Sequence, residues 1–338
     1  MILAYIIKRL ILALFTLLII LFVSYTLLRL APGDPTRSDM LSGQSGTLGQ
    51  NDGALRKNQA LHEKLDLDKP IATGFFIWLK KIVLYGNFGQ SAAVEPGRDV
   101  ADMITERLPV TITLNLWAIL LTYLLAIPIG VFTAAKAGSF TDRCVEVILF
   151  TLYSLPVMWV GLLLQSIFCE GGFLPLLPIS GSEPENALNL SIWQYHLAKA
   201  AHLLLPVICL TYGGLAGLSR YTRVSVLQNI RADYIRTAYS KGVSGTIILW
   251  KHAFGNALIT MITLFSGLLP SLISGSVLVE YIFNIRGMGT LSLLALSSRD
   301  YPLQMALFAF TGILTLTGIL LSDLLYMAAD PRIRLTKR

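Results

Sequence analysis

From Leu10 to Leu28 the chain carries no charged residue, and a run of that kind leaves few folds open. A transmembrane helix needs about 20 mainly apolar residues to cross a hydrocarbon core about 30 Å thick. Lipid cannot bond a bare peptide group, so such a segment has to be helical. Thr111–Ala135, Val147–Cys169, Leu203–Ser219, Ala257–Val279 and Leu303–Leu321 have the same character, so about six spans are expected. Of the 338 residues 54% are hydrophobic and 14% charged, against roughly 25% charged in soluble domains. The first run follows Lys8 and Arg9, as a signal peptide would. However, it exceeds a usual signal core and ends in Arg29-Leu-Ala-Pro-Gly-Asp34 without a small-x-small cleavage site. It reads as an uncleaved first span.

The net charge of +7 is informative through its location. With the N-terminus in the cytoplasm, the inside segments collect Lys8, Arg9, Lys136, Arg143, Arg220, Arg223, Arg231, Arg236, Lys241, Lys251, Arg332, Arg334, Lys337 and Arg338, offset by Asp142, Glu146, Asp233 and Asp330. The segment from Ala31 to about Arg107 mixes both signs, as expected outside. Both termini are then cytoplasmic, and topology explains the basic excess without nucleic acid as a partner. Cys144, Cys169 and Cys209 have neither disulfide nor metal-ligand spacing and read as packing residues.

The outer segment contains a Gly/Ser/Asn-rich loop from Ser42 to Gly53, then two helical stretches, Ala54–Leu65 and Ile71–Leu84, with Trp78 at the membrane interface. A second outer loop runs from Glu170 to about His202. Helix breakers fall inside spans: Pro128 with Gly130, Pro156 with Gly161, Gly213 with Gly214 and Gly217, and Pro270 with Gly275. They read either as tight packing through small residues, with Gly213 and Gly217 one turn apart, or as breaks lining a substrate path.

Between the fourth and fifth expected spans lies Asp233-Tyr-Ile-Arg-Thr-Ala-Tyr-Ser-Lys-Gly242, followed by Trp250-Lys-His-Ala-Phe-Gly-Asn-Ala257. A short helix carrying Arg231, Arg236 and Lys241 beside an apolar ridge of Tyr234, Ile235 and Ala238 should stop at Gly242, a natural helix C-terminus. A second helix should begin beyond Ser244. Such a projection suits a groove on a cytosolic partner, and a solvated positive-inside loop would look the same.

This stretch closely resembles the coupling loop of ABC importer permeases, with Arg236-Thr-Ala238 in the place of the Glu-Ala-Ala triplet and Gly242 in the place of its glycine. The wording is close to that of the peptide/nickel importer permeases, from which Gly255 departs where a basic residue often stands. The resemblance covers essentially the whole chain: Arg29-Leu-Ala-Pro-Gly-Asp-Pro35, Leu67-Asp-Lys-Pro70, Gly86-Asn-Phe-Gly89 with Ser91, Glu106-Arg-Leu-Pro-Val-Thr111, Val279-Glu-Tyr-Ile-Phe283 with Gly287-Met-Gly289, Arg299-Asp-Tyr-Pro302, Asp323-Leu-Leu-Tyr326 and Asp330-Pro-Arg332. The long outer loop resembles the first of the two permeases, the oligopeptide/dipeptide B type, and Leu116-Trp117 with Ile248-Leu-Trp-Lys-His252 leans toward the microcin C-type branch.

That resemblance implies an all-α polytopic fold of the type I importer permease class. It would comprise an N-terminal helix (1–30), an extracytoplasmic loop with short helices (31–107), a transmembrane domain of five helices (108–330) with a coupling loop at about 220–256, and a cytoplasmic tail (331–338). It implies an inner-membrane location and a complex with a homologous second permease, two cytosolic ABC ATPases and an extracytoplasmic solute-binding protein. This chain lacks G-x-x-x-x-G-K-[ST] and any Gly-Lys dipeptide, so no cofactor is expected on it and ATP-Mg belongs to the partners. Asp233, Tyr234, Arg236, Thr237, Ala238, Lys241, Gly242, His252 and Asn256 are the expected coupling residues, on a helix from about Leu227 to Lys241.

Asn115, Gln165 and Ser266 are polar groups in apolar spans, candidates for a substrate path or for bonds to neighbouring helices. Glu280 resembles a family position near the outer gate. An ion-coupled secondary transporter would carry ionisable groups in mid-span, and these spans hold almost none. An intramembrane enzyme would show H-E-x-x-H or G-x-S-x-G, and neither occurs. A non-transporting receptor or scaffold with the same loop stays open.

Overall fold

The computed structural model describes residues 2–30, 68–184, 189–258 and 276–329, and helices make up its regular structure. In chain order they are α1 (Ile2–Leu30), α2 (Ile71–Tyr85), α3 (Val100–Ala135), α4 (Phe140–Ser154), α5 (Val157–Phe168), α6 (Ile192–Ile230), α7 (Asp233–Ser240) and α8 (Gly245–Ile247). A π-helical segment, Ile248–Phe254, continues from α8, and α9 (Val277–Ile282), α10 (Met288–Ser297) and α11 (Tyr301–Ala329) follow. Among the described residues four helices are long and apolar enough to cross a membrane, or five if the bent pair α4–α5 is counted as one span. The remaining expected span, Ala257–Val279, lies mostly outside the described residues, as do Ala54–Leu65, Ser266, Pro270, Gly275 and the tail from Asp330.

Two expectations are corrected. Val147–Cys169 is not one straight span, because α4 and α5 meet at 94°. Pro156 is the N-cap of α5; proline disfavours helix in the residue before it, and Leu155 is extended. Likewise the second loop ends earlier than His202. Ser191 and Gln194 form a reciprocal capping box, so α6 starts at Ile192 and runs 39 residues with Pro206 inside it, ~58 Å at 1.5 Å per residue. Trp193, Tyr195, His196 and His202 therefore lie on that helix.

The chain forms two compact units. One comprises Met1–Pro109 with Met288–Leu316, the other Val110–Gly287 with Thr317–Arg338. The first is organised around a buried carboxylate. α10 ends through Arg299 in the left-handed region, and Asp300 then caps α11, its Oδ1 accepting the Leu303 amide at 3.2 Å. Its Oδ2 accepts the Ser91 hydroxyl at 2.5 Å and the amides of Ala92, Ala93 and Val94 at 3.0, 3.0 and 3.1 Å. Against this knot pack Val100, Met103, Ile104, Leu291 and Leu303. In the same unit Tyr25 of α1 meets Phe75 of α2 edge-on and Trp78 in a tilted ring contact, so Trp78 packs on the first helix. The second unit has one apolar cluster around Leu114, Val207, Cys209, Val279 and Ile285 and another beneath α7.

Small residues do bring helices together in the second unit, at two of the expected glycines and not at the pair one turn apart. A Cβ on Gly130 would lie 2.5 Å from the Thr222 Cβ, and one on Gly214 would lie 3.0 Å from the Thr122 methyl, whereas no described atom comes within 4 Å of such a group on Gly213 or Gly217. The α3–α6 approach thus runs through Gly130 and Gly214.

Candidate functional site

The Asp233–Ser240 helix is short, and its sequence alternates sides with a strong period. Ile235 is 1% exposed and Ala238 8%; both sit in a cluster with Val131, Ala134, Val226, Ile248, Ala253 and Ala257. Asp233, Tyr234, Arg236, Thr237, Tyr239 and Ser240 are exposed. The Arg236 side chain is 82% exposed and reaches Asp233 only loosely, at 3.7 Å, a surface pair of little energetic consequence.

The ridge expected to face a partner is thus split. Ile235 and Ala238 turn into the protein's own core, because eight residues cannot hold a helix by propensity alone and need tertiary anchorage. Tyr234 stays outside, its hydroxyl donating to Asn229 Oδ1 at 2.8 Å. The helix expected from about Leu227 to Lys241 is also two helices. α6 ends at Ile230, and the chain breaks at Arg231-Ala232 before α7 begins.

At the other end Lys241 and Gly242 close α7. The Gly242 amide reaches the Tyr239 carbonyl at 2.9 Å, and the Val243 amide reaches Ala238 at 3.2 Å. Gly242 has φ of +75°, with no described atom within 4 Å of where a Cβ would stand. His252 falls in the π-helical segment, half-buried, and its carbonyl accepts from the exposed Asn256 side chain at 3.0 Å. Single π-turns of this kind are frequent at functional sites.

Three path candidates stand among the described residues, elsewhere in the second unit, and two of them relate to α9. Glu280 is fully buried and accepts the Thr111 hydroxyl at 3.1 Å. A Cβ on Gly287 would come within 2.5 Å of that hydroxyl and 2.7 Å of the Glu280 carboxyl, so only glycine fits there. Gln165 donates to the Ile282 carbonyl at 3.0 Å and to Ile179 at 3.2 Å, the neighbour-bonding role. Asn115 is buried on α3 one turn beyond Thr111.

Two arrangements escaped sequence reasoning. The Arg223 guanidinium binds Asp142 through two nitrogens, at 3.0 and 2.8 Å, and Glu146 at 2.9 Å. Arg223 had read only as one more positive-inside charge. A Ser139-x-x-Asp142 capping pattern was visible, and the Ser139 hydroxyl does accept the Asp142 amide at 3.2 Å. The Ser91–Asp300 knot joins residues 209 apart in sequence, and no local signal links them.

The pattern of the family described as "Binding-protein-dependent transport system inner membrane component" matches residues 126–335. Its N-terminal companion pattern matches residues 2–115. The chain belongs to this family. Among its relatives, the oligopeptide transport system permease protein AppB of Bacillus subtilis is 36% identical, over 98% of this chain and 99% of its own. The di/tripeptide transport system permease protein DppB of Pseudomonas aeruginosa is 33% identical, over 98% and 99%. The inner membrane ABC transporter permease protein YejB of Escherichia coli O157:H7 is 32% identical, over 98% of each. A methionine ABC transporter solved in inward-facing conformations overlaps 68% of this chain and 96% of its own, at 14% identity and TM-score 0.49.

The chain is therefore an ABC importer permease: a multi-pass inner-membrane subunit of the type I fold, and not itself an enzyme. The permease family binds no cofactor of its own. Among the described residues no three His, Cys, Asp or Glu side chains gather as a metal site would require.

Proposed function

We propose that this permease forms half of a translocation pathway for peptides and that α7 receives the work of ATP-Mg hydrolysis from a cytosolic ABC ATPase. The carrying observation is the division of α7 into an anchored face, Ile235 and Ala238, and an exposed face, Asp233, Tyr234, Arg236, Thr237 and Tyr239. A push on the exposed face is delivered into the core through the anchored one. In this reading Lys241 and Gly242 set the angle at which α7 leaves, and His252 and Asn256 brace the following segment. The relatives named for oligopeptide and di/tripeptide transport support peptides as the substrate class.

The full machine in this reading adds a homologous second permease, two ATPases and a solute-binding protein outside. Both termini are cytoplasmic, which puts α7 on the ATPase side. The organisation is 1–30 as first helix, 31–107 as outer segment, 108–330 as transmembrane domain and 331–338 as tail. Gln165 and Glu280 hold α9 beside the pathway, with Asn115 and Ser266 as the polar groups nearest to it in character.

The test is Gly242→Trp in the assembled transporter. Open space around Gly242 means the cost is backbone strain, roughly 1–2 kcal/mol for a left-handed non-glycine residue, so insertion should persist while peptide uptake falls. Uptake at the normal rate in an inserted Gly242→Trp transporter would remove α7 from the coupling role.

A further inference from the structure

α6 leads directly to α7, and what α6 grips decides where motion of α7 goes. Near its end Arg223 holds α4 by the two-nitrogen contact to Asp142 and the further contact to Glu146. Asp142 is buried, and its Oδ2 also accepts the Gly138 amide at 2.8 Å. Farther back on α6, the Tyr212 hydroxyl donates to the Leu155 carbonyl at 3.0 Å, at the point where α4 ends. Tyr212 to Arg223 is ~16 Å along a helix, and Asp142 to Leu155 is ~20 Å. The two helices therefore run antiparallel, tied at both ends.

Beyond Leu155 the contact with α6 changes in kind: Val157, Val160 and Leu164 of α5 join the apolar cluster of Leu203, Leu205 and Val207 on α6, a packing without directional bonds. Proline supplies no amide at position 156, and α5 departs at 94°. α5 holds α9 in turn, through the Gln165 bond to Ile282 and the approach of Gly161 to within 3.4 Å of the Ile282 side chain.

A guanidinium fork fixes one geometry as a point charge does not, and opening it would strand the buried Asp142 charge. We propose that Arg223, Asp142 and Glu146 are positioning residues for transport: they lock α4 to α6 as one rigid lever, and the lever turns α5 and α9 about a hinge at Leu155-Pro156. This rests on α7 being the coupling surface.

Spin-label distances in the full transporter test it, compared between nucleotide-free and ATP-Mg-trapped states in proteoliposomes. Phe150 on α4, Leu162 on α5 and Tyr221 on α6 are exposed and suit labelling. The Phe150–Tyr221 distance should stay fixed across the cycle while Phe150–Leu162 changes. In Arg223→Ala the Phe150–Tyr221 distribution should broaden and become nucleotide-dependent, with ATP-driven uptake of a labelled tripeptide down about tenfold, the size of a typical coupling energy, and ATPase turnover retained. Should Arg223→Ala fail to assemble, Arg223→Lys keeps the charge, loses the fork and should broaden the same distribution.

A Phe150–Tyr221 distance that shifts with nucleotide in the native protein overturns the lever. One that stays sharp in the assembled Arg223 variant overturns the clamp. A Thr237→Cys probe judges the coupling reading separately: no cross-link to the ATPase would sink that reading, whatever the lever does.

Discussion

Asp142 and Asp300 are both buried aspartates at the start of a helix, each in its own compact unit, and their charges are met by different means. Asp300 is met by the backbone: three consecutive amides and a serine hydroxyl converge on one oxygen, and a helix amide takes the other. Asp142 is met by a side chain on another helix, with one amide in support. A nest of amides has no rotamers and can give way only if the loop unravels. An arginine at the end of a flexible stem can be removed, replaced or paired anew. The first device suits a part that must not move, the second a joint between parts that move together.

Mutations at the two sites should separate these roles. The largest loss is expected from Asp300→Ala, which strands five donors and should cost about 3–5 kcal/mol, read as a lowered unfolding midpoint in detergent. A second substitution should not rescue it, since the partners are mainly backbone; recovery through any side-chain change would break the comparison. Arg223→Ala comes next, at about 2 kcal/mol after allowance for its partial exposure. There Asp142→Asn with Arg223→Gln should recover about half of the single-mutant loss in a double-mutant cycle, and strict additivity would deny the pair its coupling. Ser91→Ala removes one donor among several and should cost about 1 kcal/mol in the same melting assay.

The smallest effect concerns the loop before α6. Glu183 accepts from the Lys199 ammonium and from the Tyr195 hydroxyl, both at 3.1 Å, and the Lys199 contact first, then that of Tyr195, holds its carboxyl below the ordinary value of 4.5. A depressed carboxyl pKa stabilises the fold above the ordinary value, and that contribution disappears as pH falls through the lowered one. Amide protection around Glu183, with the intrinsic pH dependence of exchange divided out, should therefore be unchanged from neutral pH to about the ordinary glutamate value and fall only below it. A loss of protection already at about pH 6 would show that another group holds this segment.

Much of the fold was legible because lipid forces it. Charge-free runs must be helices, and four or five of the expected spans stand among the described residues. The bend at Leu155-Pro156 and the early start of α6 were written in Pro156 and in Ser191-x-x-Gln194, but hydropathy passes over both. The α7 turn was legible as a pattern, while its polarity was not. Nothing in Asp-Tyr-Ile-Arg-Thr-Ala says which of Tyr234, Ile235 and Ala238 turns inward until Val131, Val226 and Ile248 are placed beneath them. The Arg223 clamp was invisible because a segment expected on the inside should be basic whether or not its charges have partners.

A straight membrane helix has one length, and a bilayer of the wrong thickness obliges it to tilt or to distort the lipid around it. The α4–α5 pair has 15 and 12 residues meeting at 94°, so its height is set by an angle as well as by a count. Small changes in that angle change how much of α5 stands in hydrocarbon. The bend is thus a point at which the thickness and stiffness of the surrounding membrane can act on the protein, through the same coordinate that its neighbours use to move it.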